Sequence, residues 1–228
     1  KLVQAHLLRT RILIDRGDRD AALAGLTKAV AALPRDRNLR MSYARLLIDA
    51  GQLDKSRREF AILLNQNPRD TDSLYALGLL AAETRQFDLA EGYFLDLIKR
   101  KTRLADAYFE LGRIEEQRGN YAEAKNWYER VSGDDRYLSA QLRKGVVLAK
   151  AGETTVLTQH FETLRRNQPQ NSITLYLAEA EALREAERYQ EAFDTLDRAL
   201  TKYPDDKDLL YARALIAEKL DRLDVLER

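Results

Sequence analysis

Six bulky residues recur at nearly constant spacing along this chain of 228 residues. This first ladder, with steps of 34, 34, 34, 33 and 35 residues, consists of Leu26, Phe60, Phe94, Tyr128, Phe161 and Leu196. A second ladder runs four residues ahead of it and consists of Ala22, Ser56, Ala90, Ala124, Leu157 and Ala192. Residues four apart share one helix face, so each pair of rungs marks one helix of a repeated unit. A period near 34 predicts an all-α fold, an α-solenoid of stacked antiparallel helix pairs.

Prolines and glycines fall at fixed places in this period. All four prolines come eight residues after a member of the first ladder: Pro34, Pro68, Pro169 and Pro204. Because proline cannot continue a helix, we expect each to end the second helix of its pair. Four glycines are predicted in the turn inside a pair, where a left-handed backbone is needed: Gly17, Gly51, Gly119 and Gly152.

This register divides the chain into units. They are 3–36, 37–70, 71–104, 105–137, 138–172 and 173–206, with a partial seventh unit over 207–228. We expect residues 1–228 to form a single solenoid. The helical pattern already includes Lys1, so we interpret the chain as a fragment of a longer protein.

The composition disfavours several classes of function. Thirty-eight Lys and Arg against 37 Asp and Glu give a net charge of +1, so nucleic acid is not an expected partner. The chain has no cysteine, which excludes a thiolate metal site or a cysteine nucleophile in it. The two histidines, His6 and His160, lie in different units, and the glycines form no phosphate-binding fingerprint. We therefore expect no metal, no cofactor and no catalytic residue.

Acidic residues also give no sign of catalysis. Glu115 and Glu116 are neighbours in sequence and point about 100° apart on a helix. Glu179 and Glu181 are also poorly aligned. Acid–base chemistry needs carboxyl groups that converge, so we expect these four to lie on solvated helix faces.

The residues inside a unit resemble the tetratricopeptide repeat. Leu77-Gly78, Ala90, Phe94 and Leu97 are similar to that family's pattern of Leu-Gly, Ala, Phe and a final small or apolar residue. One period later the pattern returns as Tyr108, Leu111-Gly112, Ala124 and Tyr128. The resemblance covers essentially the whole chain and is weaker at Arg9-Thr10 and at Leu157. It implies a right-handed superhelix that binds proteins, with each first helix lining the concave face.

Two segments resemble a narrower group. Residues 126–143 and 208–220 are similar to outer-membrane tetratricopeptide lipoproteins of proteobacteria. Those proteins are adaptors that bind a periplasmic carboxyl-terminal processing protease and bring it cell-wall hydrolases as substrates. The resemblance implies a periplasmic location, with membrane attachment only through a lipid anchor outside this chain.

Two other functions remain open from the sequence. One is a structural scaffold of an envelope or polysaccharide-export assembly, and the other is a cytosolic assembly adaptor. The Lys-x-x-x-Asn clamp of chaperone adaptors is not reproduced by Leu7 and Arg11 or by Met41 and Arg45. Binding of chaperone tails is therefore disfavoured.

The resemblance also places the fifth and ninth residues of each unit on the concave face. These positions predict a partner-binding stripe of apolar residues, with arginines that offer forked donors. The predicted binding residues are Tyr75, Leu79, Phe109, Leu142, Val146, Arg11, Arg45 and Arg113. The alternative is that the fifth residue packs against the neighbouring first helix and is partly buried.

Overall fold

A computed structural model describes residues 2–222 of the chain. This part is almost entirely helical and contains no β-strand, so the predicted all-α class is confirmed. Two compact units divide the chain between Ala107 and Tyr108, a boundary that falls inside a helix. The single solenoid over 1–228 and its repeat boundaries stay predictions.

The first unit contains six complete helices and the start of a seventh. They are α1 (Leu2–Asp15), α2 (Arg19–Ala32), α3 (Arg37–Asp49), α4 (Leu53–Gln66), α5 (Thr71–Glu83), α6 (Phe87–Lys99) and α7 (Leu104–Arg118). The second unit contains the rest of α7 and six further α-helices. They are α8 (Tyr121–Glu129), α9 (Asp134–Lys150), α10 (Thr154–Asn167), α11 (Ser172–Glu185), α12 (Tyr189–Lys202) and α13 (Lys207–Lys219). A short 3-10 helix, Pro169–Asn171, lies between α10 and α11.

Both ladders form the core of the helix pairs. Their twelve residues lie on the even-numbered helices, α2 to α12, and none is more than 1% exposed. The polar member, Ser56, is satisfied because its hydroxyl donates to the carbonyl oxygen of Ala44 at 2.8 Å. Burial of these side chains away from water is the main force that holds each pair together.

The turns lie where the prolines and glycines predict them. The helices α2, α4, α10 and α12 each end two residues before a proline. The predicted turn glycines all have positive φ, between 70° and 81°. A residue with a Cβ is strained there, so glycine fixes the sharp turn inside the pair.

Glycines on the first helices permit close approach to the aromatic rungs. An ideal Cβ placed on Gly78 would lie 2.7 Å from the ring of Phe94, and one on Gly112 would lie 2.6 Å from Tyr128. Gly145 meets Phe161 in the same way, also at 2.6 Å. The Leu-Gly signature in the sequence therefore reports a contact between the helices of one pair.

Gly78→Ala is expected to lower the free energy of unfolding by about 1–3 kcal/mol, because the added methyl group overpacks the core. Phe94 is fully buried and has no room to move aside. Gly92→Ala is the matched control, since Gly92 is an exposed position of α6 with nothing within 4 Å of the added atom. It should stabilise the protein by about 0.5–1 kcal/mol. Urea unfolding that gives both variants the same sign would contradict this packing.

Aspartates cap three of the first helices. Asp36, Asp70 and Asp206 accept hydrogen bonds from the backbone N–H of Leu39, Ser73 and Leu209 at 2.9, 3.1 and 3.0 Å. Asp70 also binds the guanidinium of Arg37, which lies at the start of the preceding first helix, at 2.8 and 2.9 Å. The hydrogen bond from Arg37 holds the pKa of Asp70 below its usual value, in spite of the opposing effect of burial.

Asp70→Asn should lower the free energy of unfolding by about 1–2 kcal/mol at pH 7, because Arg37 loses a charged partner. A lowered pKa contributes stability above the ordinary aspartate value of about 3.9 and loses it as the pH falls through the folded value. The difference between wild type and variant should therefore shrink in acid. Asp36→Asn is the control, because asparagine caps a helix as well as aspartate does. The residue one repeat before Arg37 is Val3, so Asp36 has no arginine in the equivalent place. Equal losses for both variants across the pH range would contradict the role of Arg37.

The expectation that four glutamates are solvated is wrong for three of them. Glu115, Glu116 and Glu179 are buried, at 9%, 8% and 0% exposure, and only Glu181 is exposed. Glu179 lies four residues from the buried Leu175 and Leu183, so the helical period itself places it on the apolar face. Arginines from other helices offset the cost of burying Glu116 and Glu179, and Glu115 pairs with Arg118 of its own helix.

Candidate partner-binding surface

All of the predicted binding residues lie on first helices of the pairs, namely α1, α3, α5, α7 and α9. The structure places two of them in a groove between α1 and α3, two on α5, two in a groove between α7 and α9, and two further along α9. Their exposure decides which of them a partner can reach.

A groove of about 350 Å³ runs between α1 and α3 in the first unit. It is lined by Leu7, Thr10, Arg11, Ile14, Ser42, Arg45, Leu46 and Asp49. The structure thus brings Arg11 and Arg45 together, and both are exposed. Within residues 2–222 neither arginine forms an ion pair, so both guanidinium groups remain available for a carboxylate or carbonyl. Ile14 adds an apolar surface that is 40% exposed.

Tyr75 and Leu79 lie on α5 of the same unit and are half-buried. The ring of Tyr75 packs against Phe94 with 6.0 Å between centroids. The guanidinium of Arg103 lies 5.0 Å from the centre of the Tyr75 ring. Part of the Tyr75 ring therefore contributes to the core and is covered by an arginine, and the remainder faces outward.

A second groove, of about 400 Å³, lies between α7 and α9 in the second unit. It is lined by Phe109, Arg113, Glu116, Gln117, Arg143 and Lys150. Phe109 is only 7% exposed, with its ring 5.7 Å from that of Tyr128. The Arg113 side chain is 46% exposed and donates to Glu110 at 3.0 Å. The groove thus joins one buried aromatic residue to one accessible arginine.

Leu142 and Val146 on α9 pack into the core of the second unit. Val146 is 7% exposed, and Leu142 is half-buried against the same cluster. The alternative predicted for the fifth residue, packing against neighbouring helices, describes most of the Phe109 surface, and the ninth-position Val146 is equally buried. The accessible part of the predicted set consists of the arginines with the exposed portions of Tyr75, Leu79 and Leu142. The set as a binding site stays a prediction.

A buried carboxylate organises the second groove, and sequence reasoning missed it. Glu116 accepts hydrogen bonds from the Tyr128 hydroxyl at 3.1 Å, from Arg143 Nε at 3.1 Å and from Lys150 Nζ at 3.2 Å. Burial raises the pKa of Tyr128, and the negative charge of Glu116 raises it further, so the phenol remains a donor. The available signal was spacing, because Glu116 comes four residues after the core glycine Gly112.

A third groove, of about 230 Å³, lies between α11 and α13. Leu177, Glu181 and Leu215 in its lining occupy the same fifth and ninth positions as the predicted stripe. Grooves between successive first helices therefore recur inside both units.

Residues 2–222 contain no group of three His, Cys, Asp or Glu side chains placed to hold a metal ion. No helix in that range is both long enough and apolar enough to cross a lipid bilayer.

Comparisons with known proteins agree with the repeat pattern. Three family models, each described as tetratricopeptide repeat, match residues 13–83, 75–137 and 173–216. A TPR repeat-containing protein of Pseudomonas aeruginosa is 37% identical over 116 residues, which is 51% of this chain and 20% of that protein. The chain thus matches about a fifth of the length of that relative.

Several solved structures share the fold. A tetratricopeptide repeat protein from Parabacteroides merdae superposes with a TM-score of 0.69 at 17% identity, covering 97% of this chain and 88% of the other. PilW, described as a widely conserved type IV pilus biogenesis factor, gives 0.65 at 14% identity, covering 92% and 97%. YrrB, described as a TPR protein with an unusual peptide-binding site, gives 0.54 at 18% identity, covering 83% and 97%.

Proteins of this fold are typically non-catalytic scaffolds that mediate contacts between other proteins. The ladders, the turn glycines and the matching models all describe the same repeated helix pair. The chain belongs to the tetratricopeptide repeat family.

Proposed function

We propose that this chain is a non-catalytic adaptor region that binds other proteins in the grooves between its first helices. The groove between α1 and α3 carries the proposal. It presents two exposed guanidinium groups, from Arg11 and Arg45, beside the apolar side chains of Leu7 and Ile14. Apolar anchors next to forked donors suit a segment of polypeptide, which offers side chains to the former and carbonyl or carboxylate oxygens to the latter.

The adaptor belongs, in this proposal, to the outer-membrane lipoproteins of the LbcA type. Its partners are a periplasmic carboxyl-terminal processing protease and the cell-wall hydrolases that the protease degrades. The resemblance of residues 126–143 and 208–220 supports this assignment, as does the 37% identity to a repeat protein of a proteobacterium. Holding protease and substrate on one protein raises the effective concentration of each for the other, by roughly 10²–10⁴ in avidity.

A degradation assay tests the proposal. The full-length protein, added to the purified protease and a cell-wall hydrolase, is expected to speed loss of the hydrolase on a gel. Bovine serum albumin at the same concentration is the control for non-specific effects. An unchanged rate of degradation over a range of adaptor concentrations would reject the assignment to a protease.

The arginine pair gives a test by mutation. Arg11→Gln combined with Arg45→Gln should weaken binding of the protein partner by roughly tenfold or more, because charge-assisted hydrogen bonds are lost. Arg58→Gln is the matched control, since Arg58 is an exposed arginine of α4, outside the groove. Fluorescence anisotropy with a labelled partner measures the change. Equal affinities for the double variant and the control would exclude this groove.

Affinity capture from the native cells separates this function from the other two. Recovery of the protease and its substrates supports the adaptor. Recovery of envelope or polysaccharide-export components without a protease would favour the structural scaffold, and cytosolic assembly factors would favour the cytosolic adaptor.

A further inference from the structure

A basic pocket of about 350 Å³ lies in the second unit, away from the first-helix grooves. It forms where the ends of α10 and α12 meet the start of α11. Its lining includes the basic residues Arg165, Arg166 and Lys202, the tyrosines Tyr176 and Tyr203, and the acidic Glu162. We call it the tyrosine pocket.

The pocket occurs where the repeat has an extra residue. The step from Phe161 to Leu196 is 35 residues, and the 3-10 helix Pro169–Asn171 occupies the turn within it. In two earlier repeats, the residue six places after the aromatic rung donates to the carbonyl of the preceding turn's proline. Gln66 Nε2 donates to Pro34 at 3.2 Å, and Arg100 donates to Pro68.

Lys202 holds the equivalent place in the sixth repeat but makes a different contact. The carbonyl of Pro169 accepts instead from the backbone N–H of Ser172, which closes the 3-10 turn. Lys202 Nζ donates to the Tyr176 hydroxyl at 3.2 Å. The extra residue therefore releases a lysine from its turn-capping role and directs it to the pocket.

The floor of the pocket is held in place by buried contacts. Tyr176 is 5% exposed, and the guanidinium carbon of Arg165 lies 3.9 Å from the centre of its ring. Arg165 Nη1 is bound to the buried carboxylate of Glu179 at 2.6 Å. Arg165 is thus held in place and already has a carboxylate partner.

The rim carries one net positive charge. Among residues 2–222, the exposed side chains of Arg166, Lys202 and Glu162 form no ion pair. Two cations and one carboxylate therefore face the same opening, over an aromatic floor. A single carboxylate would balance this charge, whereas a phosphate group carries up to two negative charges and needs more donors.

We propose that the tyrosine pocket binds one carboxylate group, a Glu or Asp side chain on an acidic segment of a partner protein. Arg166 and Lys202 hold the carboxylate, and Tyr203 packs against the stem of the side chain. The proposal rests on the proposed function in one respect only, that the occupant is a segment of a protein. It adds a second contact, separate from the first-helix grooves.

Titration with two blocked hexapeptides tests this site. The glutamate hexapeptide, followed by NMR on the 228-residue chain, should shift the backbone amides of residues 162–176 and 198–203. The glutamine hexapeptide should leave them in place. Arg166→Gln combined with Lys202→Gln should weaken the glutamate peptide by roughly tenfold. Lys99→Gln serves as the control, because Lys99 follows Phe94 by five residues just as Arg166 follows Phe161. This variant should not change the affinity for the glutamate peptide.

A gain of binding provides a second test that misfolding cannot imitate. Glu162→Gln removes the acidic group from the rim and should tighten the glutamate peptide by roughly threefold. Equal binding of the two peptides, or no effect of the double variant, would overturn the proposal. So would displacement of the glutamate peptide by inorganic phosphate at a lower concentration than acetate, which would assign the pocket to phosphate.

The outcomes separate this site from the proposed function. Peptide binding at the tyrosine pocket together with unchanged hydrolase degradation would reject the protease adaptor and leave the carboxylate site standing. Accelerated degradation without peptide binding would support the protease adaptor and reject the carboxylate site.

Discussion

Replacing Phe94 by alanine should lower the free energy of unfolding by about 3–5 kcal/mol. The ring is fully buried, lies against the glycine face of α5 at Gly78 and contacts Tyr75 at 6.0 Å between centroids. Its removal leaves a cavity between the helices of one pair, which the rigid backbone cannot close. Because each pair packs mainly on its neighbours, the loss should concentrate in α5 and α6.

Leu95→Ala is the matched control for this variant. Leu95 is the next residue of α6 and is 41% exposed, so its truncation should cost about 1 kcal/mol or less. Urea unfolding followed by circular dichroism measures both. Similar losses for the two variants would show that the ladder is not the core.

Replacing Arg165 by methionine should lower the free energy of unfolding by about 3 kcal/mol near neutral pH, because it leaves a buried carboxylate with too few partners. Glu179 has no exposed surface and binds Arg165 at 2.6 Å. Its remaining partner, Arg198, lies at 3.3 Å and has a side chain that is 46% exposed. The double change, Arg165→Met with Glu179→Leu, should recover most of the loss, since no charge then remains buried.

The pH dependence of this variant has a definite sign. Burial raises the pKa of Glu179, and the two arginines oppose that shift only in part. A carboxyl with a raised folded pKa stabilises the fold at low pH and loses that contribution as the pH rises above its ordinary value of about 4.3. Loss of Arg165 should raise the pKa further, so the variant should weaken relative to wild type as the pH rises from about 4.3 towards neutral. A constant difference over that range would contradict the account.

The periodic features of the fold were predictable from sequence because each depends on contacts inside one helix pair. The positions of Phe94 and Ala90 recur in every helix pair and face the other helix of that pair. Gly51 and Pro68 each shape the turn in which they lie. Such contacts depend on spacing within about 34 residues, which the sequence displays directly.

The buried carboxylates of Glu116 and Glu179 depend on contacts between repeats and were not predicted. Glu179 was expected in solvent, although its spacing from Leu175 and Leu183 placed it on the apolar face. Its partner Arg165 comes from the preceding repeat, and no local pattern relates the two residues. Only the stacking of one repeat on the next brings such residues within hydrogen-bonding distance.

The binding stripe was predictable in position but not in exposure. Phe109 and Val146 were expected to offer apolar anchors, yet each is 7% exposed. The burial of a first-helix residue depends on the distance to the neighbouring first helix. It also depends on side chains that cover it, as Arg136 covers Phe109. The tyrosine pocket depends on the one extra residue in the repeat that contains the 3-10 helix Pro169–Asn171. The repeat pattern does not predict the structural effect of that residue.

Hydrogen–deuterium exchange with and without the protein partner tests the central claim most directly. If the first-helix grooves bind, the partner should slow exchange in α1 and α3 around Arg11 and Arg45, and leave the outward faces of α4 and α6 unchanged. Protection confined to those outward faces, or none at a partner concentration that saturates binding, would contradict it.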